Sequence, residues 1–334
     1  MKIGIVNDMP LAIEVLRLVI SQEPAHQIIW TANDGVEALR QCKAQRPDVV
    51  LMDMLMPRMN GVEATRQIMA ECPCAILIVT SDIERNMNQI FEAMGHGALD
   101  VVNTPSLVDP QAVGATALLR KLHNIGWMIG QHGAKSVAAP AQTETTRQRE
   151  RIVAIGASAG GPASLVSLLK QLPADFSAAV VLVQHVDEVF AMSMAQWLAS
   201  ESKLPVRLAQ PDERPQSGEI LLAGTNNHLY MQSNGRLSYR KEPAEQIYRP
   251  SIDVFFDSLV RNWQGDAVGV LLTGMGRDGA QGLKHMRERG FLTIAQDQAS
   301  CAVYGMPKAA AAIDAAVKIL PLDQIAPTLI NYYA

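Results

Sequence analysis

The sequence predicts an α/β protein of two units. The N-terminal unit is a doubly wound domain on a five-stranded parallel sheet, and the C-terminal unit is an α/β domain with a mainly parallel sheet. Three observations carry this expectation. Short apolar runs alternate with helix-patterned segments up to about residue 105, and the same alternation restarts at Arg151. Between them, over about 131–150, the pattern gives way to small and polar residues of linker composition, as in Ala134-Lys135-Ser136 and Thr143-Glu144-Thr145-Thr146. The 334 residues suffice for two domains with a core each.

In the first unit the apolar runs are 3–7, 27–32, 49–53, 75–80 and 98–102. Runs this short, bounded by helical patterns, read as buried parallel strands. Residues 111–131 read as a closing helix, because Val113, Leu118, Leu122, Ile125 and Ile129 recur at helical spacing. In the second unit the strand candidates are 152–156, 178–184, 206–209, 219–223 and 267–273. Residues 162–170 are patterned as a helix. Residues 229–238 read as a hairpin with Asn234-Gly235 at its turn. Pro250-Ser251 opens a helix that runs to about Trp263, with Ser251 as its N-cap. The domains expected are 1–122 and 148–334, with a helix extension and linker over 123–147.

Composition narrows the class. Hydrophobic residues are 48% and charged residues 19%, which is globular, and the net charge of −4 gives no electrostatic case for nucleic acid. Nothing after residue 148 reads as a basic recognition helix. Cys42, Cys72, Cys74 and Cys301 lack paired C-x-x-C spacing and read as reduced thiols of a cytoplasmic protein. The apolar run at the N-terminus is too short for a secretory signal, and no run approaches the roughly 20 residues of a membrane span. No direct membrane insertion is expected.

Three polar groups of the first unit fall on one sheet edge. Asp8 follows the first strand, Asp53 ends the third and Thr80 ends the fourth, which puts all three at the carboxyl edge where ligands bind. Carboxylates beside a hydroxyl can hold a magnesium ion and a phosphoryl group.

The second unit opens with Gly156-Ala157-Ser158-Ala159-Gly160-Gly161 between a strand and a helix. The spacing matches the G-x-S-x-G turn that exposes a nucleophilic serine at a sheet end. Amides at the start of the following helix could stabilise an oxyanion. A dinucleotide turn is the competing reading, but the glycines are not spaced G-x-G-x-x-G. Ser158 needs a base. Of seven histidines, His185 directly follows the strand at 178–184 and so shares the edge of Ser158. An orienting carboxylate comes from Asp278, in the glycine-rich loop Gly274-Met275-Gly276-Arg277-Asp278-Gly279 after the strand at 267–273. Asp187, Asp253 and Asp297 are the other carboxylates available. The order Ser, His, Asp differs from that of the α/β-hydrolase fold, so the turn does not assign that fold.

Two family resemblances follow. Residues 1–122 resemble the receiver domain of bacterial response regulators, through Asp53 in Leu51-Met52-Asp53-Met54-Leu55-Met56-Pro57, through Gly61 and through Thr80-Ser81. Two positions depart from that pattern. Asn7-Asp8 stands where the family has two adjacent acids, and Thr104 replaces the lysine before Pro105. Residues 148–334 resemble the catalytic domain of the CheB-type chemotaxis receptor methylesterases. The match rests on the serine turn, Gln184-His185, Arg249-Pro250-Ser251-Ile252-Asp253, residues 272–279, Gln296-Asp297-Gln298-Ala299 and Tyr304-Gly305-Met306-Pro307. The chain looks closest to the WspF-like branch.

The resemblance implies hydrolysis of glutamate γ-methyl esters on chemoreceptor-like proteins, with glutamine deamidation by the same acyl chemistry. Ser158 is then the nucleophile, His185 the base and acid, Asp278 its orienting carboxylate and the Met275 N–H an oxyanion donor. Asp53 is the phospho-acceptor, Thr80 the switch hydroxyl, and Asp8 with Asp53 the Mg2+ ligands. Esterase chemistry implies no cofactor. The implied partners are a methyl-accepting receptor as substrate and a sensor histidine kinase of the CheA type as phosphodonor. The resemblance also implies a catalytic cleft inhibited by the receiver and relieved by phosphorylation. The alternative is an inactive response-regulator binding module of the same pathway.

Overall fold

Five short apolar strands build the first unit of the computed structural model, which describes residues 1–83, 85–105, 113–129, 150–244, 246 and 248–334. The strands are β1 (Lys2–Val6), β2 (Gln27–Ala32), β3 (Val49–Met52), β4 (Ala75–Thr80) and β5 (Asp100–Asn103). Their order is β2-β1-β3-β4-β5 and every pairing is parallel. All four residues of β3 are buried, which is why the sequence there is continuously apolar. Helices α1 (Pro10–Ile20) and α5 (Val113–Ile129) lie against each other, while α2 (Gly35–Ala44), α3 (Gly61–Glu71) and α4 (Met87–Gly95) run side by side. The predicted closing helix is described over its 113–129 portion; residues 130–149, and with them most of the expected linker, lie outside the described residues.

Local chemistry ends the strands. β1 and β3 stop at Val6 and Met52, one residue before the acidic edge, so Asn7, Asp8 and Asp53 sit in loops. Asp34 and Asn60 cap α2 and α3 by accepting from the Glu37 and Glu63 N–H groups. Gly61 is required by a close approach: a Cβ there would stand 2.2 Å from the Asp53 carbonyl oxygen.

The second unit holds a seven-stranded sheet in the order β14-β13-β12-β6-β7-β9-β8, parallel throughout. Its strands are β6 (Arg151–Ala157), β7 (Ala179–Gln184), β8 (Val206–Leu208), β9 (Ile220–Leu222), β12 (Asp266–Leu271), β13 (Leu292–Gln296) and β14 (Lys318–Leu320). Helices α8 (Ile252–Asn262), α9 (Ala280–Glu288) and α10 (Met306–Ala312) form one set of neighbours. Helices α6 (Gly161–Leu169), α7 (Glu188–Glu201) and α11 (Leu322–Tyr333) form another. The hairpin is antiparallel and separate from the sheet: β10 (His228–Met231) pairs with β11 (Leu237–Arg240), and Gly235 takes φ +76° at its turn.

Two strands, β13 and β14, escaped the sequence reading. β13 carries Thr293 and Gln296, both fully buried, so its pattern looked mixed although the strand is interior. Thr293 satisfies its hydroxyl on the Ala315 carbonyl, and Gln296 accepts from the Thr273 N–H. β14 is a three-residue edge strand with no fully buried position. Contacts divide the chain into units Met1–Ala134 and Lys135–Ala334. No described helix is long and apolar enough to cross a membrane.

Candidate active site and phospho-acceptor site

Ser158 stands one residue past β6, at the carboxyl edge of the sheet. The turn that presents it is pinned from several sides. Its N–H donates to the Thr273 carbonyl at 3.1 Å, and its carbonyl accepts from the Gly161 N–H at 2.7 Å and from Gln184 Nε2 at 3.0 Å. Gly160 takes φ +72°, a left-handed conformation that a side chain would strain, and a Cβ there would meet Ala302 at 2.5 Å. Gly274 lies so near the nucleophile that its Cβ would stand 2.8 Å from that of Ser158. The loop carrying Met275 therefore passes beside the serine.

His185 follows β7, and its N–H donates to the Ala157 carbonyl at 3.1 Å, just before the nucleophile. Its Nδ1 lies 3.0 Å from Ser158 Oγ and its Nε2 lies 2.8 Å from Asp278 Oδ2. The protonation pattern follows from the carboxylate. Burial works against the charge of Asp278, but hydrogen bonds from His185 and from the Ile252 and Asp253 N–H groups hold its carboxyl below the usual range. An ionised carboxylate only accepts, so Nε2 carries the proton and Nδ1 is left as the acceptor for the serine hydroxyl. The arrangement can take a proton from Ser158 and stabilise the imidazolium that results.

Asp278 is anchored by a helix start. Ser251 Oγ donates to Oδ1 at 2.8 Å, the Ile252 N–H donates to Oδ2 at 2.7 Å and the Asp253 N–H donates to Oδ1 at 3.1 Å. The carboxylate thus sits at the positive end of α8. The favour is returned: Asp253 Oδ1 accepts from the Gly282 N–H, in the first turn of α9, at 2.7 Å. Burial, and then the nearby charge of Asp278, push the Asp253 carboxyl up to about 7. Behind Ser251, the fully buried His228 accepts from its N–H on Nδ1 at 3.1 Å and donates from Nε2 to the Pro243 carbonyl at 3.1 Å. Burial pushes the His228 imidazolium down, so the ring stays neutral.

The structure brings together the three residues named from strand ends. It separates the other carboxylates from His185: Asp187 caps α7 through the Val189 N–H, Asp253 caps α9, and Asp297 holds Ser300. His285 pairs with Asp257 at a half-buried position between α9 and α8. The sequence reading gave Ser251 only as a helix cap; its hydroxyl also serves Asp278. Tyr248 was missed altogether. Its ring stacks on His185, with centroids 4.2 Å apart, and no periodicity or motif marks such a contact.

At the edge of the first sheet, Asp53 is half-buried and Asp8 exposed. Asp53 Oδ1 accepts from the Met54 N–H at 2.7 Å. Burial is the main cause that pushes its carboxyl up to about 6, with the charge of Asp8 adding to it. Asn7, buried, turns its Oδ1 to the Met9 N–H at 2.8 Å. Thr80 is buried and its hydroxyl accepts from Asn86 Nδ2 at 3.3 Å, while its carbonyl accepts from the Thr104 N–H at 2.9 Å. Among the described residues, no group of three or more His, Cys, Asp or Glu is assembled for a metal. Asp8 and Asp53 together are a pair of hard oxygen donors, which fits a magnesium ion that keeps most of its waters.

Comparison with known proteins gives the same two units. Residues 153–329 match the family described as CheB methylesterase, and residues 3–110 match the response regulator receiver domain. The chain is 67% identical over 334 residues, all of both chains, to protein-glutamate methylesterase/protein-glutamine glutaminase 3 of Pseudomonas aeruginosa. It is 60% identical to a protein of the same description, numbered 2, from Cupriavidus metallidurans, covering 99% of this chain and 98% of that one. Among solved structures, the CheB methylesterase catalytic domain of Thermotoga maritima matches with a TM-score of 0.53 at 34% identity, over 55% of this chain and 98% of that domain.

Proposed function

This chain belongs to the CheB methylesterase family, and from that membership and its linked Ser158–His185–Asp278 relay we propose that it hydrolyses glutamate γ-methyl esters on a chemoreceptor-like protein. The relay is the observation that carries the reading. Ser158 Oγ attacks the ester carbonyl as His185 Nδ1 takes its proton. Asp278, tied to Nε2, stabilises the imidazolium. The Met275 N–H, next along the loop from Gly274, is the donor proposed for the developing oxyanion. Nδ1 then returns the proton to the leaving methoxide, which departs as methanol. Water, deprotonated by the same nitrogen, attacks the acyl-enzyme; Nδ1 hands that proton to Ser158 Oγ as the acyl C–O bond breaks, and the receptor carboxylic acid ionises to solvent. A glutamine side chain follows the same path and releases ammonia, in keeping with the two activities in the names of the relatives.

The receiver domain supports control by phosphorylation. Asp53 is the proposed acceptor, with a sensor histidine kinase as the phosphodonor, and Thr80 the hydroxyl that answers the new charge. Asp8 and Asp53 would hold Mg2+, which neutralises phosphoryl charge when bound. With Thr104 in place of a lysine, no ammonium at that position pairs with the phosphoryl oxygens, and the switch is expected to be weak.

The test is methanol release from a methylated receptor fragment, measured with the thermal midpoint, for the wild type and Ser158→Ala. The expected result is turnover abolished at an unchanged midpoint, since a turn serine contributes little packing. Turnover retained without the hydroxyl would rule out the serine mechanism.

A further inference from the structure

Tyr248 covers the imidazole on which this chemistry turns. Its ring lies 3° from parallel with that of His185 at 4.2 Å between centroids. Parallel stacking is one of the ordinary arrangements of two aromatic rings. A parallel face contact gains most when one ring carries positive charge, because the ring face is the negative end of its quadrupole. His185 becomes such a cation each time Nδ1 accepts the serine proton.

The same short segment holds the other end of the relay. Three residues after Tyr248, Ser251 donates to Asp278, and the Ile252 and Asp253 N–H groups follow. The phenol also meets the loop of Met275 and Asp278: a Cβ at Gly276, where φ is +83°, would stand 3.1 Å from the Tyr248 hydroxyl oxygen. Rotation of the imidazole out of its plane would take Nδ1 from Ser158 and Nε2 from Asp278 together, and it would displace the tyrosine.

We propose that Tyr248 is a positioning residue for the ester hydrolysis, its ring face fixing the plane of His185 and favouring the imidazolium formed during proton transfer. The proposal rests on the esterase reading above. It predicts that the π face matters more than the hydroxyl or the bulk.

The experiment compares the full chain with Tyr248→Phe and Tyr248→Leu by pH profiles of methanol release, thermal midpoints and NMR titration of the His185 ring. Phenylalanine keeps the face, so its rates stay within about twofold of wild type. Leucine keeps an apolar cover without the face. Loss of a cation–π contact of ordinary size makes kcat fall roughly threefold to thirtyfold with KM little changed. The acid limb of kcat/KM, where the base becomes protonated, moves roughly half to one pH unit lower, and the ring titration moves with it. Leucine and phenylalanine behaving alike overturns the proposal, as does a leucine profile that drops without moving along the pH axis. Should the leucine chain fold poorly, Tyr248→Trp takes its place; its larger face should move the limb upward, and a limb that stays or falls overturns the proposal. Wild-type methanol release lost in Ser158→Ala secures the esterase reading independently. If the wild type releases none, that reading fails, while the ring titration still tests Tyr248.

Discussion

Replacing Asp278 by asparagine changes one atom and leaves no satisfactory arrangement. The carboxylate accepts four hydrogen bonds, two on each oxygen: Oδ1 from Ser251 Oγ and the Asp253 N–H, Oδ2 from His185 Nε2 and the Ile252 N–H. An amide can accept on one side only. With its oxygen toward His185, its NH2 faces the Asp253 N–H, a donor stranded in a buried site. With its oxygen toward Ser251, its NH2 faces both the Ile252 N–H and His185 Nε2. The imidazole must then accept on Nε2, so Nδ1 carries the proton and no longer serves as a base for Ser158. Either arrangement costs stability, about 1–3 kcal/mol for the buried N–H that it leaves unpaired. The second removes the base, and loss of the correct tautomer in triads of this kind lowers kcat by about 10⁴. We expect kcat for methanol release to fall by roughly 10³–10⁴, about 4–5.5 kcal/mol of barrier, with a lower denaturant midpoint. The assay is steady-state methanol release from a methylated receptor fragment, alongside equilibrium unfolding. A variant within tenfold of wild-type kcat would refute the tautomer argument.

Asp253 supplies a pH test. Its carboxyl is raised to about 7, burial being the larger cause and Asp278 the next, so its contribution to stability is present below the ordinary carboxyl range and is lost as pH rises through 7. Asp253→Asn keeps an acceptor for the Gly282 N–H and removes the ionisation. The stability of the wild type relative to the variant should therefore decline between about pH 4 and 7 in urea titrations, and a flat difference across that window contradicts the assignment. For the receiver, Asp53→Asn should take up no phosphoryl group from acetyl phosphate, as read on a phosphate-affinity gel. Label that persists in the variant moves the acceptor elsewhere.

The functional residues were legible where topology alone fixes their place. Ser158, His185 and Asp278 each follow a different parallel strand, and a parallel sheet delivers such residues to one edge whatever the details of packing. Asp8, Asp53 and Thr80 were legible for the same reason. What stayed hidden depends on three-dimensional contact. Asp278 stood out by its place after a strand; that α8 starts where its N–H groups meet this carboxylate, and not Asp187, Asp253 or Asp297, is visible only in the structure. Tyr248 lies in a loop with no period to read. β13 was masked because Thr293 and Gln296 are polar yet interior, each spending its polar atoms on one backbone partner or more. The order of helices and strands follows from hydrophobic patterning; the identity of hydrogen-bond partners does not.

The anchoring of Asp278 on the first turn of α8 couples catalysis to core packing. Exposed helix ends fray at low free energy, but the core holds this one: Ser251, Ile252, Phe255 and Phe256 are fully buried. When that turn opens, the carboxylate loses the Ile252 and Asp253 N–H groups, two of its four donors. The relay then comes apart. Catalytic competence is thus tied to the packing of a single buried turn, so the core that folds the domain also arms it. Amide exchange at Ile252 and Asp253 should be slow, and heat or denaturant should silence the enzyme only as that core gives way.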